Sequence, residues 1–174
     1  PKRYMHEVAT MGCRTRVFEN RYGMQTSVGR GNLSFTTINI VKLAIECREI
    51  ADKEQRIEQF FAKLDSMLDI TAKQLHERVE FQGADCPNQF PVLMSSLWVG
   101  CGQLKQNDTI ASVINQGALG IGFIGLAECL VALIGKHHGE SAEAQELGLR
   151  IITYMRDRAN GFSEQYQHNY SVLA

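Results

Sequence analysis

Proline is scarce in this chain, at three residues of 174, and glycine is moderate at fifteen, which excludes a collagenous or low-complexity chain. An excess of either charge is also missing: eighteen Lys and Arg face nineteen Asp and Glu, a net charge of −1. Nothing in that balance draws a phosphate backbone or an anionic membrane surface, so nucleic acid and membrane are not expected partners. No long hydrophobic run exists. The most apolar stretch, residues 117–134, contains Glu128 and is broken by Gly120, Gly122 and Gly125, short of the ~20 uninterrupted apolar residues a spanning helix requires. No charged-then-apolar secretory leader is present, and the first residue is Pro1, so the chain reads as a piece of a longer one. The five cysteines are odd in number and widely spaced, which argues against a disulfide framework and for a reducing cytoplasm.

What is present is a core-forming composition, 44% hydrophobic, on a length that suits one domain. Residues 1–33 carry no sustained period and read as a long structured loop or hairpin region. Residues 34–40, Ser-Phe-Thr-Thr-Ile-Asn-Ile, are β-branched and aromatic and predict a strand. From 41 to 79 there is neither Pro nor Gly, and Ile57, Phe60, Phe61, Leu64, Met67, Leu68 and Leu75 mark one helical face, so a single long helix is expected. Residues 90–97 predict a second strand. A third is expected at 118–126, where glycines suit a close approach of backbone or ligand. A helix ending at Gly135 follows, then another from the N-cap Ser141 to near Arg158, and a last strand at 170–173. Strands alternating with helices make residues 34–174 a set of strand–helix units, an α/β chain rich in helix.

Cys13 sits in Met11-Gly12-Cys13-Arg14-Thr15-Arg16, where two arginines favour a thiolate. The bland alternative is a small buried hydrophobe, the usual state of a cysteine. Cys47 and Cys129 lie among apolar helical residues and are expected to be packing groups. His137 and His138 are adjacent and point apart, which suits a capping role better than a metal site. Residues 29–32 and 117–125 are glycine clusters able to cradle a phosphate, and neither matches a known phosphate-loop fingerprint.

Four blocks taken together, Met11-Gly12-Cys13-Arg14-Thr15, Gly29-Arg30-Gly31-Asn32-Leu33-Ser34 running into Thr36-Thr37-Ile38-Asn39-Ile40, Gly122-Phe123-Ile124-Gly125-Leu126-Ala127-Glu128, and Gly135-Lys136-His137-His138-Gly139-Glu140-Ser141, resemble the anaerobic, class III ribonucleoside-triphosphate reductases. The resemblance implies that residues 1–174 are a single fragment of a ten-stranded α/β barrel of the glycyl-radical type, with residues 1–33 as its cysteine-bearing active-site loop region. By the same resemblance Cys13 is the catalytic residue, a transient thiyl that takes the 3′ hydrogen of the substrate ribose before the 2′ hydroxyl leaves as water. Met11 and Asn32 are implied to line that ribose, with Asn39 an alternative to Asn32.

The implied partners are ribonucleoside triphosphates, a radical-SAM iron–sulfur activating enzyme and further copies of the chain. No cofactor is expected within these residues; the family's radical glycine and zinc-binding cysteines belong to a C-terminal region, and its ATP-sensing domain to the N-terminal side. A different class of reading is a non-catalytic interaction or regulatory module derived from such a barrel.

Overall fold

The computed structural model describes residues 7–12 and 15–174. Its centre is a parallel sheet of three strands in the order of the chain: β3 (Asn32–Asn39), β4 (Ala118–Ile124) and β5 (Asn169–Leu173). These strands form where the β-branched and apolar runs predicted them. Residue pairs such as Ile38 with Phe123, and Ile121 with Val172, set the register, with a bulge in β3 between Asn32 and Ser34.

Parallel neighbours need long crossovers, and helices supply them. Between β3 and β4 run α1 (Ile40–Ile45), α2 (Lys53–Gly83) and the short α3 (Ala111–Ile114). Between β4 and β5 run α4 (Leu126–Ile134) and α5 (Ala142–Tyr166). The core lies between helices and sheet: Phe60, Leu64, Leu68 and Leu75 of α2, Leu130 and Leu133 of α4, and Ile151 and Met155 of α5 close over Ile38, Leu119, Ile121 and Tyr170. The Tyr170 hydroxyl donates to the Ala72 carbonyl at 3.0 Å, tying β5 to α2.

Among the described residues, no helix covers the other face of the sheet. Strand alternation places Phe35, Thr37, Gly120, Gly122, Ser171 and Leu173 there, and Phe35 and Ile124 are about 60% exposed (62% and 59%). The expected close approach at the β4 glycines is made by side chains of the same sheet. A Cβ on Gly120 would stand 2.7 Å from Leu173 Cδ2, and one on Gly122 2.6 Å from Thr37 Oγ1.

Three expectations need correction. The single helix over 41–79 is two: α1 stops at Ile45, a turn follows, and Asp52 restarts the chain by accepting from Gln55 N at 2.8 Å. Arg56 then holds the junction, donating to the carbonyls of Ile50, Ala51 and Leu133. The strand expected at 90–97 is instead a π-helical turn over Leu93–Leu97, preceded by a 3-10 turn at Pro87–Gln89. Phe90, Met94 and Trp98 recur every four residues and pack as one helical side against the core, a spacing that an apolar run conceals. Helix α5 passes Arg158 and Gly161 to reach Tyr166, because Ala159, Phe162 and Ser163 stay buried against the sheet. The caps at Gly135 (φ 81°) and Ser141 stand as expected.

Candidate functional site

The 1–33 region folds, in its described part, around a hairpin of β1 (Val8–Met11) and β2 (Thr15–Phe18), antiparallel and joined by residues 12–14. Gly12 has φ +62°, a left-handed angle that opens the turn. Cys13, at that connection, lies outside the described residues, and of Met11 only the backbone position is described.

The base of the hairpin is fastened to the amino-terminal ends of the strands. Asn169 Nδ2 donates to Asn20 Oδ1 at 2.9 Å, Arg21 N donates to Asn169 Oδ1 at 3.0 Å, and the Arg21 guanidinium donates to Asn160 Oδ1 at 3.2 Å. Tyr22 N also uses Asn20 Oδ1, at 3.0 Å. Asn20 and Asn169 are both buried, so the bond between their amides and the bonds they accept from the Arg21 and Tyr22 N–H groups stand in for water there. Arg16, Val17 and Phe18 of β2 share a cavity with Ala118, Asn169 and Ser171, which sets β2 on the helix-free side of the sheet. Sequence reasoning missed this clamp.

Asn32 opens β3 and lines a cavity of about 330 Å³ together with Gly29, Arg30, Gly31, Gln116 and Gly117, under a wall made by Leu97, Trp98 and Val99. The first glycine cluster of the sequence thus meets Gly117, the first residue of the second, in one place. Gly29 (φ +75°) lets the wall approach, since a Cβ there would fall 2.3 Å from Val99 Cγ2. Gln116 Nε2 holds that wall by donating to Val99 O at 2.8 Å. Asn39 stands at the opposite end of β3, and its side-chain oxygen is engaged as the cap of α1, accepting from Lys42 N at 3.0 Å.

The remaining flagged residues are structural. Cys47 and Cys129 are fully buried; burial raises both thiols above their ordinary range, Cys129 to about 12, which suppresses the reactive thiolate. His137 builds its own turn, its Nδ1 accepting from Gly139 N at 3.0 Å while its backbone N–H donates to Glu140 Oε2 at 2.8 Å. Among the described residues no three His, Cys, Asp or Glu side chains are grouped to hold a metal, and no helix is long and apolar enough to cross a membrane.

A parallel sheet with helices packed on one face and a hairpin rooted on the other defines a mixed α/β, helix-rich class. The chain belongs to the anaerobic ribonucleoside-triphosphate reductase family, whose sequence profile matches residues 1–174. It is 27% identical over 170 residues to the anaerobic ribonucleoside-triphosphate reductase of Salmonella typhimurium, covering 94% of this chain and 23% of that protein. The namesake proteins of Escherichia coli and Haemophilus influenzae are 26% and 25% identical, and the chain again spans 23% of each. The chain therefore spans about a quarter of the length of these curated relatives.

Proposed function

We propose that this chain supplies the cysteine-loop portion of the catalytic barrel of an anaerobic reductase that converts ribonucleoside triphosphates to 2′-deoxyribonucleotides in the cytoplasm. The observation that carries the reading is the family match across residues 1–174. The fold agrees with it: a parallel sheet covered by helices on one side only, with the hairpin on the other side, has the form of one sector of an α/β barrel whose interior is the bare face.

In this reading Cys13 is the reacting group. As a sulfur radical it takes the hydrogen atom from ribose C3′, becoming a thiol; the 2′ hydroxyl takes a proton and leaves as water, an external two-electron reductant reduces the sugar, and C3′ then takes its hydrogen atom back from the thiol, restoring the sulfur radical. The thiol suits this because its S–H bond is close in strength to the C–H bond it exchanges with. Met11, two residues earlier on β1, flanks the sugar, and Asn32 holds a ribose hydroxyl through an amide that does not titrate. The radical store is a glycine outside these residues, generated by a radical-SAM iron–sulfur activating enzyme, and the protein works as a homo-oligomer. In the same reading zinc is held by cysteines of a C-terminal region outside these residues.

The test is Cys13→Ser in the complete, activated protein. Nucleotide reduction should vanish while the glycyl radical signal still forms, because an O–H bond is too strong to pass the radical onward. Turnover within about tenfold of the parent, a difference of about 1.4 kcal/mol in barrier, removes Cys13 from the reaction.

A further inference from the structure

A near-neutral chain concentrates positive charge in one place. Residues 1–33 contain Lys2, Arg3, Arg14, Arg16, Arg21 and Arg30 against only Glu7 and Glu19. Three of these arginines, Arg16, Arg21 and Arg30, line a single small cavity of about 40 Å³ beneath the hairpin, closed by Ala118, Asn169, Tyr170 and Ser171 at the start of β4 and β5.

Their hydrogen bonds leave charge uncompensated. Arg21 donates to the neutral Asn160, and Arg30 Nη1 to the Glu19 carbonyl at 3.3 Å. Arg30 Nε is buried and has no hydrogen-bond partner among the described residues. None of the three makes an ion pair with a carboxylate among the described residues, and residues 1–6, 13 and 14 contain no acid that could supply one. Of the two nearby carboxylates, Glu7 is engaged by Ser27 N at 2.9 Å, and Glu19 lines the same cavity with an interaction of its own, so three guanidinium groups share the cavity with one carboxylate. Burial, and then the charge of Arg21, pulls the Arg30 guanidinium below its ordinary range, the cost of holding it without an anion.

We propose that Arg16, Arg21 and Arg30 form a binding site for one small oxyanion, a carboxylate or a phosphate group, at the amino-terminal ends of β4 and β5. Guanidinium donors match the paired oxygens of either group, and the cavity admits an anion of a few atoms and excludes a whole nucleotide. Because Arg30 also lines the larger cavity beside Asn32, an anion here would fix the position of the Gly29–Asn32 backbone turn. The proposal does not depend on the reductase reading.

Calorimetric titration of the complete protein with inorganic phosphate, and separately with acetate, tests it without any turnover. Saturable binding of at least one anion is expected, and the preferred one identifies the source chemistry. Arg30→Gln and Arg16→Gln should each weaken binding by about tenfold or more, and Arg30→Lys should recover part of the loss. If Arg30→Gln fails to fold, Arg16→Gln decides, since its side chain is exposed. Binding of neither anion, or binding that survives the substitutions in a folded protein, overturns the site.

Discussion

Asn169 and Asn20, 149 positions apart in the chain, are joined by a buried amide hydrogen bond of 2.9 Å. Through it the first residue of β5 carries the base of the hairpin whose turn contains Cys13. The base of the hairpin is thus positioned by the last strand of the sheet, through the Arg21 and Tyr22 backbone N–H groups that share the same two amides.

Replacing Asn169 with Leu should therefore detach the hairpin before it damages the sheet. The substitution strands Arg21 N and Asn20 in a buried place, at about 1–3 kcal/mol for a lost buried partner. Hydrogen exchange should rise at residues 16–22 while the α2 and β4 amides stay protected. Uniform loss of protection across the chain would show instead that the clamp is a general stability element.

Asn32→Ala and Asn39→Ala separate two roles for neighbouring amides. Asn39 caps α1, so its loss should lower thermal stability by roughly 1 kcal/mol. Asn32 lines the cavity beside the hairpin, so its loss should appear in kcat/KM, at about 1–3 kcal/mol, with little change in melting temperature. An inactive Asn39→Ala beside an active Asn32→Ala moves the ribose contact to the far end of β3.

Gly122 probes the packing of the bare face. Gly122→Ala pushes its Cβ against Thr37 Oγ1, where 2.6 Å is all the space available, and overpacking of this kind costs about 1–3 kcal/mol. Adding Thr37→Ala removes the clashing atom and should return part of the stability. A double mutant as unstable as the sum of the singles, measured by denaturant unfolding, would place the strain in the backbone.

The parallel strands were legible because β3 and β4 are short β-branched or apolar runs bounded by turn residues, and local composition decides such runs. The break between α1 and α2 had a signal, Asp52 placed to cap Gln55, that the absence of proline and glycine concealed. The π-helical turn was hidden because an eight-residue apolar run fits a strand as well as a helix, and only the Phe90, Met94, Trp98 spacing separates them. Of the site, Asn32 and the two glycine clusters were visible one at a time. That Gly117 of the second cluster joins the first beside Asn32 in one cavity, and that Asn20 finds Asn169, depends on the closure of the whole sheet, which leaves no local trace. Cys13 stood out by its arginine neighbours, and its role came only from the family resemblance.

His168 gives the fold an acid-sensitive point. It follows Gln167, which ends α5 in a left-handed conformation (φ 56°), and its Nδ1 lies 2.6 Å from Asn115 Oδ1, so the ring donates there. The His76 ring is 5.6 Å away, itself stacked on Tyr166 and 3.6 Å from the Glu80 carboxylate. Burial first, and then His76, holds the His168 imidazole below its ordinary value, against a smaller opposing pull from Glu80. The folded chain therefore binds this proton less readily than the unfolded one. Its contribution to stability is whole above the unfolded value of about 6.5 and is lost progressively as the pH falls from there through the lower folded value. Melting temperature should decline over that interval in the parent protein and decline less steeply in His168→Gln, which keeps a donor for Asn115 and cannot titrate. Superimposable profiles for the two proteins between about pH 7 and pH 5 would remove His168 as the source of acid sensitivity.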